Sequence, residues 1–268
     1  MLDPEKYKHI LIDVREDGVA IATLNRPKRL NATNRRLHWE MSELARDTTL
    51  DGAVKVLLIT GAGRAFCAGG DFGPPEPDDP PVGESNHFAD MAEGAAIVEN
   101  LLDCPKPIIS AVNGPAMGLG ATLALLCDIV VAARSAIFAD PHVKLGLGAG
   151  DGGQVIWPLL LGPNRAKYYL MTGDKLTAEE GDRLGLVNFV VEDEDLMPRA
   201  LEIAERLAAG PALAIAASKV PLNRHLKAIA QQILPLSLEM EFGTYGTEDA
   251  KEAGIAFMEK RDPVFRGR

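Results

Sequence analysis

The chain has 268 residues, of which 47% are hydrophobic, so it is long enough to bury a large core. Its formal net charge of -10 would repel a phosphate backbone, and we therefore expect no nucleic-acid partner. The cysteines, Cys67, Cys104 and Cys127, lack the paired spacing of a zinc site or a disulfide framework, which predicts no metal site and buried thiols in a reducing, cytoplasmic setting. The longest apolar stretch, 111–133, is interrupted by polar residues and prolines, so we expect no membrane span.

The first half of the chain alternates strand and helix patterns. Ile10–Val14 and Val19–Leu24 flank an Asp-Gly turn, which predicts a hairpin at the edge of a sheet. Thr33 is a candidate N-cap for a helix, and the apolar run 54–60 predicts a buried strand after it. The acidic, proline-rich segment 73–86 is interpreted as a lid or a simple insertion.

The pattern continues with a helix over 87–102, a strand over 107–112, a helix from about Gly118 and a strand over 128–133. This repetition predicts an α/β domain. Beyond Asp151 helical periodicity dominates, and we place a domain boundary at residue 200. Residues 1–199 are predicted to form the core domain, and 200–268 a C-terminal helical region that serves subunit contacts.

Two glycine-rich turns each follow a predicted strand. Residues 61–71 read GAGRAFCAGGD, and residues 113–127 read NGPAMGLGATLALLC. The first turn lacks the glycine spacing of a dinucleotide-binding fingerprint, and taken alone it could be a tight surface turn. Two such turns can also aim two backbone N–H groups at one oxygen, which is the arrangement of an oxyanion hole.

These two segments, together with LNRPKRLNA at 24–32, MTGDKLTAEEGDRLGLVNFVV at 171–191 and FMEKRDPVF at 257–265, resemble the crotonase (enoyl-CoA hydratase and isomerase) superfamily. The resemblance covers nearly the whole chain. It implies a spiral of ββα turns with a C-terminal helical region, and a homotrimer or dimer of trimers. It also implies an acyl-CoA substrate of fatty acid metabolism, with coenzyme A as part of the substrate and no redox or metal cofactor.

The resemblance assigns site residues by position. Gly70 and Leu119 fall where the family places its two oxyanion-hole N–H donors. The positions that match the coenzyme A site are Arg26, Lys28, Ala65, Ala68, Asp71 and Lys260. The alternatives are solvated surface charge for the first two of these residues and a helix cap for Asp71.

The two glutamates of the family's hydratases are absent, because their positions hold Thr122 and His142. A threonine is no base near neutral pH, whereas an imidazole is a credible acid or base, so the proton-handling role is predicted for His142. Asp151 follows across a glycine-rich loop and could fix the histidine tautomer, a spacing similar to the 6-oxocamphor hydrolase subgroup. Asp140 is interpreted as a turn residue.

These features lead to three hypotheses. The first is a hydratase- or isomerase-like enzyme that stabilises a thioester enolate, with His142 as acid or base. The alternative is a hydrolase of C–C bonds in β-diketones, or of thioesters, in which His142 and Asp151 activate water. A non-catalytic scaffold or RNA-associated homologue would be expected to show a basic surface or a damaged oxyanion turn, and the sequence shows neither.

Overall fold

The computed structural model describes residues 2–73 and 87–268, so the predicted lid or insertion at 73–86 lies outside the described residues except for Gly73. The strands are β1 Ile10–Val14, β2 Val19–Leu24, β3 Val56–Gly61, β4 Ile108–Val112, β5 Ala116–Met117, β6 Ile129–Ala133, β7 Ile137–Ala139, β8 Leu176–Thr177 and β9 Phe189–Val191. The α-helices are α1 Arg35–Leu50, α2 His87–Asp103, α3 Leu119–Leu125, α4 Gly153–Leu161, α5 Pro163–Thr172, α6 Ala178–Leu184, α7 Leu196–Ala208, α8 Ala212–Tyr245 and α9 Glu248–Glu259.

The main sheet has six strands in the order β1-β2-β3-β4-β6-β9. The predicted hairpin is confirmed, since β1 pairs antiparallel with β2 at the sheet edge. From β2 onward all neighbours are parallel. Parallel strands must be covered on both faces, which explains why β3 and β4 are continuous apolar runs, and the α/β prediction is confirmed.

The two faces of this sheet are covered by different helices. One apolar cluster joins Val56, Leu58 and Ile109 of the sheet to Ala200 and Ile203 of α7. The larger cluster on the other side includes residues of α1 to α4 and of α8. The predicted boundary at residue 200 therefore falls inside a helix that packs on the core sheet, and the change to the C-terminal helices comes after Ala208. The division into two domains stays a prediction.

A second sheet was not predicted from the sequence, because its strands are only two or three residues long. Its order is β5-β7-β8, and β5 runs parallel to β7. β5 ends one residue before Gly118, and β7 ends one residue before Asp140. The Gly118 amide donates to the Ala139 carbonyl oxygen at 2.9 Å. This pairing brings the second glycine-rich turn beside the loop that carries His142.

Two helix predictions need correction. The N-cap of α1 is Asn34, whose side chain accepts from the Leu37 amide, whereas Thr33 forms a bridge with Gly70. The helical periodicity of the sequence over 211–222 predicts a helix there, and it belongs to the much longer α8, which continues past Pro221 and Pro235. Among the helices of the described ranges, none combines the length and apolar character needed to cross a bilayer.

Candidate active site

The two glycine-rich turns pack directly against each other. Cys67 and Ala116 form a parallel bridge, and the Met117 amide donates to the Cys67 carbonyl oxygen at 2.9 Å. Gly120 permits this approach, because a Cβ atom there would lie 2.4 Å from the same oxygen. The first turn of α3 is thus seated on the AFCAGGD segment.

The predicted oxyanion donors, Gly70 and Leu119, both line one cavity of about 490 Å³. The amides beside them are used internally: Asp71 donates to the Thr33 oxygen and Gly118 to the Ala139 oxygen. Within the described residues, the structure gives the Gly70 and Leu119 amides no acceptor. Both residues therefore belong to the wall of the cavity, and their amides have capacity to bind an oxygen.

Gly118 sets the direction of the second turn. Its backbone, with φ 51° and ψ -123°, lies in a region that L side chains rarely adopt. A Cβ atom at this position would lie 3.1 Å from His142 Cε1, so the imidazole packs over the glycine. His142 thereby lies against the residue that precedes Leu119.

His142 begins a short 3-10 helix, His142–Leu145, and is oriented by a residue that the sequence analysis treated as a turn residue. His142 Nδ1 lies 2.5 Å from Asp140 Oδ1, and Asp140 is fully buried. The structure therefore corrects the interpretation of Asp140, because its carboxylate is the closest acidic partner of the imidazole. Local sequence gave a signal, since the two residues are separated by a single proline.

The other ring nitrogen of His142 faces two carboxyl groups. His142 Nε2 lies 3.5 Å from Asp151 Oδ2 and 3.8 Å from Glu241 Oε1. Asp151 does fold back toward the imidazole, but from the side opposite Asp140, so Asp140 and not Asp151 holds Nδ1. The Thr122 hydroxyl lies 3.4 Å from Asp151 Oδ1. Sequence reasoning missed Glu241, which comes from α8 and has no local motif around it.

The carboxyl groups and the imidazole change each other's protonation. Burial lowers the pKa of His142, but the charges of Asp151 and Asp140 outweigh it and raise that pKa to about 10. Burial raises the pKa of Asp151 to about 6 against the opposing charge of His142. Burial, followed by the charge of Asp151, raises the pKa of Glu241 to about 8. These effects favour the protonated imidazole and make both Asp151 and Glu241 weaker acids than usual.

The rest of the cavity combines apolar side chains with a second histidine–carboxyl pair. His38 and Glu93, from α1 and α2, contact each other through Nδ1 and Oε1 and both line the cavity. Apolar lining comes from Phe72, Leu145, Leu238 and Phe242. The cavity thus combines an apolar surface with a second polar pair.

The residues assigned to coenzyme A are placed in different settings. Ala68 lines the cavity, whereas Ala65 is fully buried beneath it. The Arg26 side chain is 3% exposed and binds Asp71 Oδ2 at 2.8 Å, so this pair ties the first turn to the loop before α1. Among the helices of the described ranges, none has Asp71 as its cap. Lys28 and Lys260 are exposed and lie outside the lining of the cavity, and contacts of all these residues with coenzyme A stay predictions.

A metal ion was not predicted, although Asp140, His142 and Asp151 offer ligand atoms within 4.8 Å of one another. The 2.5 Å separation of His142 Nδ1 and Asp140 Oδ1 is a hydrogen-bond distance, so this nitrogen is engaged by the carboxylate.

The chain resembles known proteins over nearly its whole length. The family model described as enoyl-CoA hydratase/isomerase matches residues 14–268. The chain is 38% identical to the 1,2-epoxyphenylacetyl-CoA isomerase of Escherichia coli strain K12, over 94% of this chain and 97% of the relative. It is 35% identical to the crotonyl-CoA hydratase of Syntrophomonas wolfei, over 97% of this chain and 98% of the relative.

A solved enoyl-CoA hydratase/isomerase from Mycobacterium paratuberculosis superposes with a TM-score of 0.85 at 36% identity, covering 92% of this chain and 97% of the other. The predicted crotonase-type α/β fold with C-terminal helices is confirmed by this match, and the structure adds the second sheet. None of these three relatives is described as a hydrolase, and the comparisons give no support to the predicted partial similarity to 6-oxocamphor hydrolase.

Proposed function

The chain belongs to the enoyl-CoA hydratase/isomerase family, and we propose that within this family it shifts a proton along the acyl chain of a CoA thioester. The Gly70 and Leu119 amides hold the thioester oxygen, as the family resemblance implies. The observation that carries the proposal is the cluster of His142, Asp151 and Glu241 in the same cavity as these two amides.

The order of the pKa values, about 6 for Asp151 and about 8 for Glu241, supports one direction of proton transfer. Asp151 is the carboxyl group that ionises first, and it takes a proton from the carbon beside the thioester carbonyl. The electron pair moves onto the oxygen, where two N–H donors stabilise it. His142 supplies positive charge beside the enolate and exchanges protons with the carboxyl groups. Its predicted acid/base role is thus exercised from the imidazolium form.

The hydrolase alternative is the weaker candidate. Activation of water by His142 requires a neutral imidazole that accepts the proton of the water molecule. The neighbouring carboxylates raise the pKa of His142 to about 10, which keeps the ring protonated at neutral pH. Exposed apolar residues on α8 and α9 support a further part of the proposal, the homotrimer or dimer of trimers.

A mass-spectrometric screen of CoA thioesters and cyclic 1,3-diketones tests the proposed function. We expect rearranged thioesters that keep coenzyme A, and no diketone cleavage. His142→Ala should abolish turnover while leaving affinity for CoA unchanged, and Asp151→Asn should do the same. His225→Ala, at an exposed position of α8, is the matched control and should retain activity. Diketone cleavage without thioester turnover, or full activity of His142→Ala, would contradict the proposal.

A further inference from the structure

Glu241 reaches the cavity from α8, the long helix that follows the core sheet. It is 5% exposed, lines the cavity, and places Oε1 3.8 Å from His142 Nε2. Asp151 Oδ2 lies 3.5 Å from the same nitrogen. One imidazole N–H therefore stands between two carboxyl groups that arrive from different elements.

The position of Glu241 is fixed by contacts between α8 and the glycine-rich loop before Asp151. The Ser237 hydroxyl donates to the Gly150 oxygen at 3.0 Å, and the Gly148 amide donates to the Thr244 hydroxyl at 3.1 Å. A Cβ atom at Gly150 would lie 2.6 Å from Glu241 Oε2, so the loop passes directly beside the carboxyl group. The helix and the loop thus hold both carboxyl groups in one arrangement around the ring.

Tyr245 completes this arrangement. Its hydroxyl donates to Glu241 Oε1 at 3.2 Å from one turn further along α8, and it lines the cavity. The contact orients the carboxyl group, and Oε1 is also the oxygen that faces His142 Nε2. A buried carboxyl group that is held in place beside a cavity and an imidazole has the geometry of a general acid.

We propose that Glu241 is a further catalytic residue, the acid that delivers the second proton of the shift, and that His142 relays protons between Glu241 and Asp151. This inference rests on the proposed function. The family's two glutamates are absent, because their positions hold Thr122 and His142. In their place, the loop before α4 supplies Asp151 and α8 supplies Glu241.

The steps balance for a 3-enoyl thioester that becomes a 2-enoyl thioester. Asp151 takes a proton from C2, and the electron pair of that C–H bond forms a dienolate on the thioester oxygen. The pair then returns to form the C2–C3 double bond, while the electrons of the C3–C4 double bond take the Glu241 proton at C4. His142 Nε2 next gives its proton to Glu241 and receives one from Asp151, which restores the starting state.

One substrate, 3-hexenoyl-CoA in D₂O, measures the two proton transfers of the reaction separately. Deuterium at C2 of recovered substrate measures dienolate formation, and 2-hexenoyl-CoA measures protonation at C4. We expect Glu241→Gln to keep C2 exchange at the wild-type rate and to lose about 100-fold or more of product formation, the range of a missing general acid. Glu241→Asp keeps a carboxyl group and should recover part of the lost product formation. Glu239→Gln, exposed on the same helix, should match wild type.

Other results of this experiment would contradict either the inference or the proposed function. Product formation by Glu241→Gln at the wild-type rate overturns the inference, and so does a loss of C2 exchange in parallel with product, which indicates a structural role. If Asp151→Asn still exchanges deuterium at C2, the proposed function is contradicted. The assignment of Glu241 is then decided by formation of 2-hexenoyl-CoA, which measures protonation at C4. CoA affinity and the urea unfolding midpoint, measured for every variant, identify misfolding.

Discussion

At the scale of single residues, the site is defined by one imidazole with carboxyl groups on both sides. Asp140 accepts from Nδ1, and Asp151 and Glu241 face Nε2. Four ionisable groups this close cannot all be charged without cost, so the protons are distributed according to burial and mutual attraction. We therefore propose that Asp151 acts as the base and that Glu241 carries the proton.

Asp140→Asn should lower the pKa of His142, because the substitution removes a buried negative charge 2.5 Å from Nδ1 and keeps the size of the side chain. NMR titration of the His142 ring protons measures this change. Asp13→Asn, at an exposed position of β1, is the control and should leave the titration unaltered. An unchanged His142 titration in Asp140→Asn would show that this carboxylate does not stabilise the imidazolium.

The pH dependence of kcat/KM for thioester isomerisation should be bell-shaped. Activity should rise as pH increases through about 6, where Asp151 loses its proton and becomes a base. It should fall as pH increases through about 8, where Glu241 loses the proton that it delivers. A profile that stays flat from pH 7 to pH 10 would exclude Glu241 as the acid.

Hydration of crotonyl-CoA should be poor, because Thr122 stands where the family's hydratases have a glutamate, and the Thr122 hydroxyl contacts Asp151 Oδ1 at 3.4 Å. A threonine does not activate water near neutral pH. Loss of absorbance of the conjugated thioester measures the rate. Turnover at the level of a dedicated hydratase would show that this interpretation of positions 122 and 142 is wrong.

At the scale of elements, the site depends on α3 packing on the first glycine-rich turn. Gly120→Ala would place a methyl group 2.4 Å from the Cys67 oxygen, so it should cost about 1–3 kcal/mol of unfolding free energy and reduce activity. Gly243→Ala is the matched control in α8, where a Cβ atom has no neighbour within 4 Å; it should stabilise the fold by about 0.5–1 kcal/mol. Urea unfolding measures both. Equal midpoints would contradict the packing argument.

At the scale of the whole molecule, the C-terminal helices expose more apolar surface than a solvated helix needs. The largest exposed apolar side chains of α8 and α9 are Leu213, Leu222, Leu236, Met240, Ile255, Phe257 and Met258. We expect sedimentation equilibrium to give three or six times the chain mass, as burial of such residues between copies would lower the free energy. Phe257→Glu should shift the distribution toward smaller species, whereas Lys251→Glu, exposed on the same helix, should not. A wild-type monomer would contradict the proposed assembly.

The sequence by itself determined the α/β class, the edge hairpin and the two glycine-rich turns, because hydrophobic periodicity and glycine spacing are local properties of a chain. It also pointed to His142 and Asp151 through a family pattern. It did not reveal the second sheet, whose strands are too short to leave a periodicity, or the length of α8, whose internal prolines resemble a helix end.

Only the tertiary structure decided which acids surround the imidazole. Asp140 looked like a turn residue because its role depends on the direction that β7 gives its side chain. Glu241 is 99 residues beyond His142, on a helix that packs against the glycine-rich loop before Asp151. Contacts between residues so distant in the chain are set by packing, and the pKa of each group follows from that packing and from burial. The proposed acid and base roles therefore depend on how α8 places Glu241 beside the loop that carries Asp151.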